Sequence, residues 1–173
     1  MRRVASVLTV LVLGAVIWGT APASAQSKAS SSSYQWLLLG DEEGNPNMAI
    51  APGGAVVQMT GDGVLSLHPK SASGGGDFNQ LDANGNVVAS GTWDVTGVSK
   101  FVSYGTIGEN LFGGQTILKV TLTPNTGGAF SGVLWITCLV GNPPVGAEEG
   151  IRLNVHGINY NKADGGDTIF ILQ

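Results

Sequence analysis

The sequence predicts an all-β protein, a single antiparallel β-sandwich or β-barrel domain of about 8–10 short strands. Glycine is frequent, with 27 residues in a chain of 173. The apolar segments between the glycines are short and rich in Val, Ile, Thr and aromatic residues, a composition typical of strands that end in turns. No segment shows the apolar spacing of an amphipathic helix.

The first 25 residues predict a secretory signal peptide that is removed on export. Arg2 and Arg3 give a positive start, residues 4–20 are uncharged and mostly apolar, and residues 23–25 (Ala-Ser-Ala) suit a signal peptidase. A membrane anchor is the alternative, but the apolar run barely reaches the roughly 20 residues that span a bilayer. We therefore expect a secreted or otherwise extracytoplasmic protein with no membrane span after cleavage.

A serine-rich segment, residues 26–33, follows the cleavage point and has nothing apolar to bury, so we expect a disordered tether there. The β-domain is expected to span residues 34–173, a length that can bury a core without a metal ion or a disulfide. Cys138 is the only cysteine. It lies in an apolar segment, which predicts a buried and unreactive thiol.

Ten strands are predicted from apolar runs that end at glycine, proline, asparagine or aspartate. Alternating apolar and polar residues in segments 118–123 and 151–156 predict strands with one buried face. Segment 133–140 is apolar on both faces, which predicts a central strand covered on both sides. The predicted strands are Tyr34–Leu39, Ala55–Thr60, Val64–His68, Asp77–Leu81, Val87–Thr96, Phe101–Gly105, Thr116–Thr123, Phe130–Val140, Ile151–Ile158 and Thr168–Leu172.

The distribution of charge argues against nucleic-acid binding and against adhesion to anionic membranes. All 12 acidic residues lie beyond residue 25, whereas Arg2 and Arg3 would be removed with the signal peptide, so the mature domain is acidic. Its basic residues are scattered singly and do not form the positive surface that phosphate backbones or anionic lipids need.

No cofactor or metal site is predicted. Residues 82–86 (Asp-Ala-Asn-Gly-Asn) offer oxygens at alternate positions, but Val87 and Trp93 stand where a calcium loop has glycine and a bidentate acid. Asn-Gly between two apolar runs indicates a hairpin turn instead. His68 and His156 are the only histidines, and their separation does not match a zinc site.

The tryptophans of the domain are predicted to lie in its core. Trp93 and Trp135 are each in phase with aliphatic neighbours of their own strand. This phase favours burial over an exposed aromatic platform for sugars.

The segment from Asn142 to Gly150 is the strongest candidate for a binding site. Two prolines stiffen it, and Glu148 and Glu149 precede the next strand; rigid loops on β scaffolds often carry binding residues. Adjacent carboxylates in an extended chain point to opposite sides, so they do not form an acid–base pair by themselves. We predict Asn142, Glu148 and Glu149 as binding residues, with an ordinary solvated loop as the alternative, and predict no catalytic residues.

These features favour an exported, non-enzymatic β-domain that binds a partner or small ligand through loops at one end of the sandwich or barrel. The partner class stays open between a protein, a glycan and a small molecule. The alternative is a secreted barrel-type enzyme, an isomerase, cyclase or hydrolase with an internal polar pocket. Such an enzyme is expected to turn some of five polar residues inward: His68, Tyr104, Glu148, Glu149 and Arg152. A third class, structural self-assembly, is suggested by the glycine-rich strands.

Overall fold

The computed structural model describes residues 32–173, which form ten β-strands, and this confirms the predicted all-β class. The predicted signal peptide (residues 1–25) and residues 26–31 of the predicted tether lie outside the described residues. Between residues 32 and 173 no helix has the length and apolar character needed to cross a membrane. The strands are β1 (Ser33–Leu39), β2 (Asn47–Ile50), β3 (Val56–Leu67), β4 (Lys70–Leu81), β5 (Val87–Ile107), β6 (Leu111–Pro124), β7 (Phe130–Cys138), β8 (Gly150–Val155), β9 (Ile158–Lys162) and β10 (Asp167–Leu172).

Several strands are longer than the sequence predicts, because glycines that indicate turns lie inside strands. Segments 55–60 and 64–68 are parts of β3, and segments 87–96 and 101–105 are parts of β5. β4 starts at Lys70 and runs through Gly74, Gly75 and Gly76. The opposite error occurs at segment 151–158, which a turn at residues 156–157 divides into β8 and β9.

The ten strands form one antiparallel sheet that closes into a ring, in the order β1-β10-β6-β5-β4-β3-β2-β9-β8-β7, with further pairings β1–β3 and β6–β7. Closure depends on two long strands that change partners along their length. β3 pairs with β2 over residues 56–59 and with β1 over residues 61–66. β6 pairs with β7 over residues 114–122 and with β10 at residues 111–112. One half of the domain is therefore closed by β7, β8, β9 and β2, and the other half by β10 and β1.

Four hairpin turns collect at one end of the domain, which we call the hairpin end. They join β2 to β3, β4 to β5, β6 to β7 and β8 to β9. The register places them together: Val56 pairs with Leu81, and Leu81 pairs with Val87 across the next turn. At the β4–β5 turn, Asp82 Oδ1 accepts the backbone N–H groups of Asn84 and Asn86 at 2.9 Å each, which confirms the predicted hairpin.

Two indole rings fill the middle of the ring by packing on glycine backbone. Trp36 and Trp93 are fully buried, with ring centroids 5.5 Å apart. A Cβ atom at Gly63 would lie 2.1 Å from a carbonyl oxygen of β4 and 2.4 Å from the Trp36 ring. One at Gly74, where φ is +125°, would lie 2.9 Å from the same ring. The Trp93 indole N–H donates to the Thr60 carbonyl at 3.0 Å.

We predict that Gly63→Ala destabilises the domain by about 1–3 kcal/mol, because the added methyl group must displace backbone or the Trp36 ring. Gly97→Ala is the matched control, since a Cβ at this strand glycine would meet nothing within 4 Å. Urea unfolding of both variants measures the difference. Equal urea midpoints for the two variants would show that the packing of Trp36 does not require glycine at position 63.

Candidate binding site

A cavity of about 250 Å³ opens at the hairpin end. Six neighbouring strands of the ring, β4 to β9, supply its walls, together with the turn between β8 and β9. Seven of the ten lining residues are apolar. The lining residues are Phe78, Gln80, Ala89, Leu122, Pro124, Phe130, Val155, His156, Ile158 and Tyr160.

The period of two in each strand directs these side chains into the ring. Phe78 and Gln80 on β4 are two residues apart, as are Ile158 and Tyr160 on β9. Three of the lining residues, Phe78, Leu122 and Tyr160, are almost fully buried. They form an apolar floor at the end of the packed core.

The rim of the cavity is apolar and partly open to solvent. Phe130 and Ile158 are 38% and 43% exposed. His156 lies in the turn between β8 and β9 with φ +52°. Its ring meets the Phe130 ring edge to face, with centroids 5.4 Å apart. The rim therefore offers an apolar entrance with one imidazole beside it.

One polar pair lies within this apolar lining. Gln80 Nε2 donates to Tyr160 Oη at 3.1 Å. Burial raises the pKa of Tyr160, so its hydroxyl group is neutral near pH 7. A tyrosine hydroxyl can accept and donate at once, and no acceptor within residues 32–173 takes the Tyr160 proton. The pair can therefore donate one hydrogen bond to a ligand.

The sequence-predicted residue Glu149 binds its own chain instead of facing solvent. One carboxylate oxygen accepts the Leu139 backbone N–H at 2.7 Å. The other accepts the Thr168 backbone N–H at 3.2 Å and the Thr168 hydroxyl at 2.9 Å. The carboxylate thus connects the chain beyond β7 to the start of β10, and a ligand-binding role for it stays a prediction.

Glu148 and Asn142 are more exposed than Glu149. The Glu148 carboxylate forms an ion pair with Arg152 at 2.6 Å, with both side chains about half exposed. The Asn142 backbone N–H donates to the Tyr104 carbonyl at 2.6 Å. The loop from Asn142 to Glu149 joins the ends of β7 and β8 that lie away from the hairpin end. A binding role for Asn142 and Glu148 therefore stays a prediction, at a place separate from the cavity.

The five residues that an internal enzyme site was expected to use do not line the hairpin-end cavity. Tyr104, Glu148 and Arg152 instead come together with Gln115 and Thr137 around a second concavity of about 270 Å³. This concavity lies on the outer surface of the sheet, under the loop between β7 and β8. The enzyme alternative expected such residues inside the ring, whereas these three lie outside it, and His68 and Glu149 line neither concavity.

The position of Trp135 differs from the sequence-based prediction that its side chain lies in the core. The inner face of β7 is formed by Leu134, Ile136 and Cys138, which are buried. Trp135 belongs to the alternate set, so it faces outward and is partly exposed, unlike Trp93. The prediction that segment 133–140 is covered on both sides is therefore wrong at Trp135, although the outward residue Thr137 is buried.

The thiol of Cys138 lies in the core, as predicted. Burial raises its pKa, which keeps it in the unreactive protonated form. Across the described part of the chain, no three His, Cys, Asp or Glu residues lie close enough together to hold a metal ion.

Sequence reasoning missed the hairpin-end cavity, although part of its signal was visible. Apolar residues flank the turns at Pro124 and Phe130 and at Val155 and Ile158. Turn-flanking apolar residues that face the interior indicate an end that is apolar but unfilled.

The fold and this cavity define a closed antiparallel β-domain with an apolar concavity at one end. The chain matches no protein-family model, and the curated proteins and the solved structures gave no match either.

We predict that Glu149→Ala lowers the free energy of unfolding by about 1–3 kcal/mol, because it leaves N–H groups of two chain segments without an acceptor. Glu148→Ala is the neighbouring control and should change stability by about 0–1 kcal/mol, since it breaks only an exposed ion pair. Thermal and urea unfolding of both variants tests this. A loss of stability for Glu148→Ala as large as that for Glu149→Ala would contradict the assignment.

Proposed function

We propose that the protein is an exported, non-enzymatic binding domain that holds a small, mostly apolar ligand in the hairpin-end cavity. The observation that carries the proposal is a concavity with an apolar floor and a single hydrogen-bonded polar pair, Gln80 and Tyr160. Ligand sites in proteins are concave and mostly apolar, with few polar groups that fix orientation, and they occur at the mouths of β-barrels.

The ligand class follows from the lining. An apolar body would cover Phe130 and Ile158 and remove their exposed surface from water, which is favourable. One hydrogen-bond acceptor, such as a carbonyl or ether oxygen, would receive the Tyr160 proton. A charged ligand is disfavoured, because the lining contains no aspartate, glutamate, lysine or arginine to offset its desolvation.

The enzyme alternative has less support from the cavity. Its lining contains no carboxylate, and its titratable groups are His156 at the rim and Tyr160 at the floor. An apolar cavity with one hydrogen-bond donor suits retention of a ligand. A binding function is therefore favoured over an enzymatic one, and the turns at the hairpin end are the loops proposed to bind the ligand.

We predict that Ala89→Phe blocks the cavity. Ala89 is the smallest residue of the lining, so a phenyl ring there would fill the space that a ligand needs. The neutral fluorophore N-phenyl-1-naphthylamine should bind the unmodified mature protein with a rise in emission, and Ala89→Phe should weaken this binding by about tenfold or more. Val64→Phe, which adds the same ring at an exposed strand position away from the cavity, is the control. Absence of probe binding, or equal binding in both variants, would overturn the proposed site.

We predict that Tyr160→Phe selectively weakens ligands that carry an acceptor. Two nearly isosteric ligands, 2-acetylnaphthalene and 2-isopropylnaphthalene, differ in one carbonyl group. Loss of one hydrogen bond should weaken the acetyl ligand roughly 2- to 13-fold, corresponding to about 0.5–1.5 kcal/mol, and leave the isopropyl ligand unchanged. Titration calorimetry compares the four affinities. An equal effect on both ligands would show that Tyr160 contributes only shape.

A further inference from the structure

A second concave surface lies on the outside of the ring, over β7, β8 and β9. One groove of about 480 Å³ is lined by side chains that include Trp135, Arg152, Asn159 and Asn161. It adjoins the polar concavity of about 270 Å³ under the loop between β7 and β8, and Arg152 belongs to both. We call the two together the outer groove.

Strand register places the key side chains of the outer groove side by side. Trp135 pairs directly with Arg152 on β8 and with Ile117 on β6. Directly opposed residues on one face of an antiparallel pair have Cβ atoms about 4.5–5.5 Å apart. The partly exposed tryptophan is thus flanked by a guanidinium group on one side and an aliphatic side chain on the other.

The polar groups of the outer groove are dense but carry little net charge. Arg152 and Glu148 neutralise each other at 2.6 Å, and both stay half exposed. The other polar side chains are amides, hydroxyls and a phenol: Tyr104, Gln115, Thr137, Asn159 and Asn161. Such groups both donate and accept hydrogen bonds. A neutral ligand with many hydroxyl groups matches this set better than an anion, because the domain is acidic.

We propose that the outer groove binds a neutral oligosaccharide. Trp135 supplies an aromatic surface for the apolar face of one sugar ring. Tryptophan suits this position because its ring can be partly buried and partly exposed to solvent. Arg152, Glu148 and the neighbouring amides bond the hydroxyl groups of that sugar and of the next along the two connected concavities. Arg152 lies where the concavities meet, so it contacts the link between successive sugars, and its partner Glu148 lies in the polar concavity beside it.

The outer groove lies on the opposite face of the sheet from the hairpin-end cavity, and the two share only Tyr160 among their lining residues. Glu148, a binding residue predicted from the sequence, would act here. Tyr160 and Leu153 border the outer groove although both are buried residues of β9 and β8. The two sites can therefore be tested independently.

Binding is tested with the mature protein and four neutral oligosaccharides: cellohexaose, maltohexaose, mannohexaose and xylohexaose. Trp36 and Trp93 are fully buried, so a change in tryptophan emission on titration reports Trp135. At least one of the four should bind with such a change. Calorimetry should then show affinity about tenfold or more weaker for Trp135→Ala, with partial retention for Trp135→Phe. Ala89→Phe, which alters only the hairpin-end cavity, should bind the sugar normally.

Any one of three results would overturn the proposal. The first is that none of the four oligosaccharides binds, and the second is that Trp135→Ala binds the sugar as tightly as the unmodified protein does. The third is that an extended peptide binds the groove in place of the sugars. Circular dichroism of Trp135→Ala and Trp135→Phe ensures that lost binding is measured on folded protein. Failure of this test leaves the result with N-phenyl-1-naphthylamine at the hairpin end unaffected.

Discussion

The packing of two indole rings on bare backbone is the constraint on which the rest of the structure depends. Trp36 comes from β1 and Trp93 from β5, and their contact joins a short strand of the ring to its longest strand. The Trp36 ring leaves no room for a side chain at Gly63 or Gly74, and a Cβ at Gly61 would lie 3.0 Å from the Trp93 ring. The indole N–H of Trp36 has no acceptor within the described residues, so packing holds this ring in place. The rings account for three of the glycines of β3 and β4, Gly61, Gly63 and Gly74, whereas a Cβ at Gly75 or Gly76 would meet the backbone of a neighbouring strand.

The same constraint explains why the hairpin end is open. Along the inner face of β5, the large Trp93 is followed toward the turn by Gly91 and Ala89, which have small side chains or none. The interior is full at the level of Trp93, whereas Ala89, four positions nearer the turn, lines the cavity. A cavity at this end is consistent with the absence of a large side chain on β5 beyond Trp93. Close packing elsewhere makes the unfilled end notable, since protein interiors leave few voids.

Much of the fold could be predicted from the sequence, because alternation of apolar and polar residues depends only on strand geometry. Strand ends were predicted poorly at Gly74–Gly76, where glycine serves tertiary packing instead of a turn. The face of Trp135 could not be predicted, since both faces of its strand are rich in apolar residues and phase alone does not say which face is inward. The contact between Glu149 and Thr168 could not be predicted, because the two residues are distant in sequence and meet only in the folded sheet. The hairpin-end cavity needs six strands to close and leaves only indirect traces in any one of them.

The most direct test of the central claim is the NMR spectrum of the Gly63 Hα protons in the folded domain. If the Trp36 ring lies against Gly63, ring currents shift at least one of these protons well away from ordinary glycine values, and the shift disappears in Trp36→Leu. Gly53, whose surroundings are open, supplies the ordinary reference within the same molecule. Gly63 protons that resonate like those of Gly53 would contradict the packing from which the glycine-rich strands and the open hairpin end are derived.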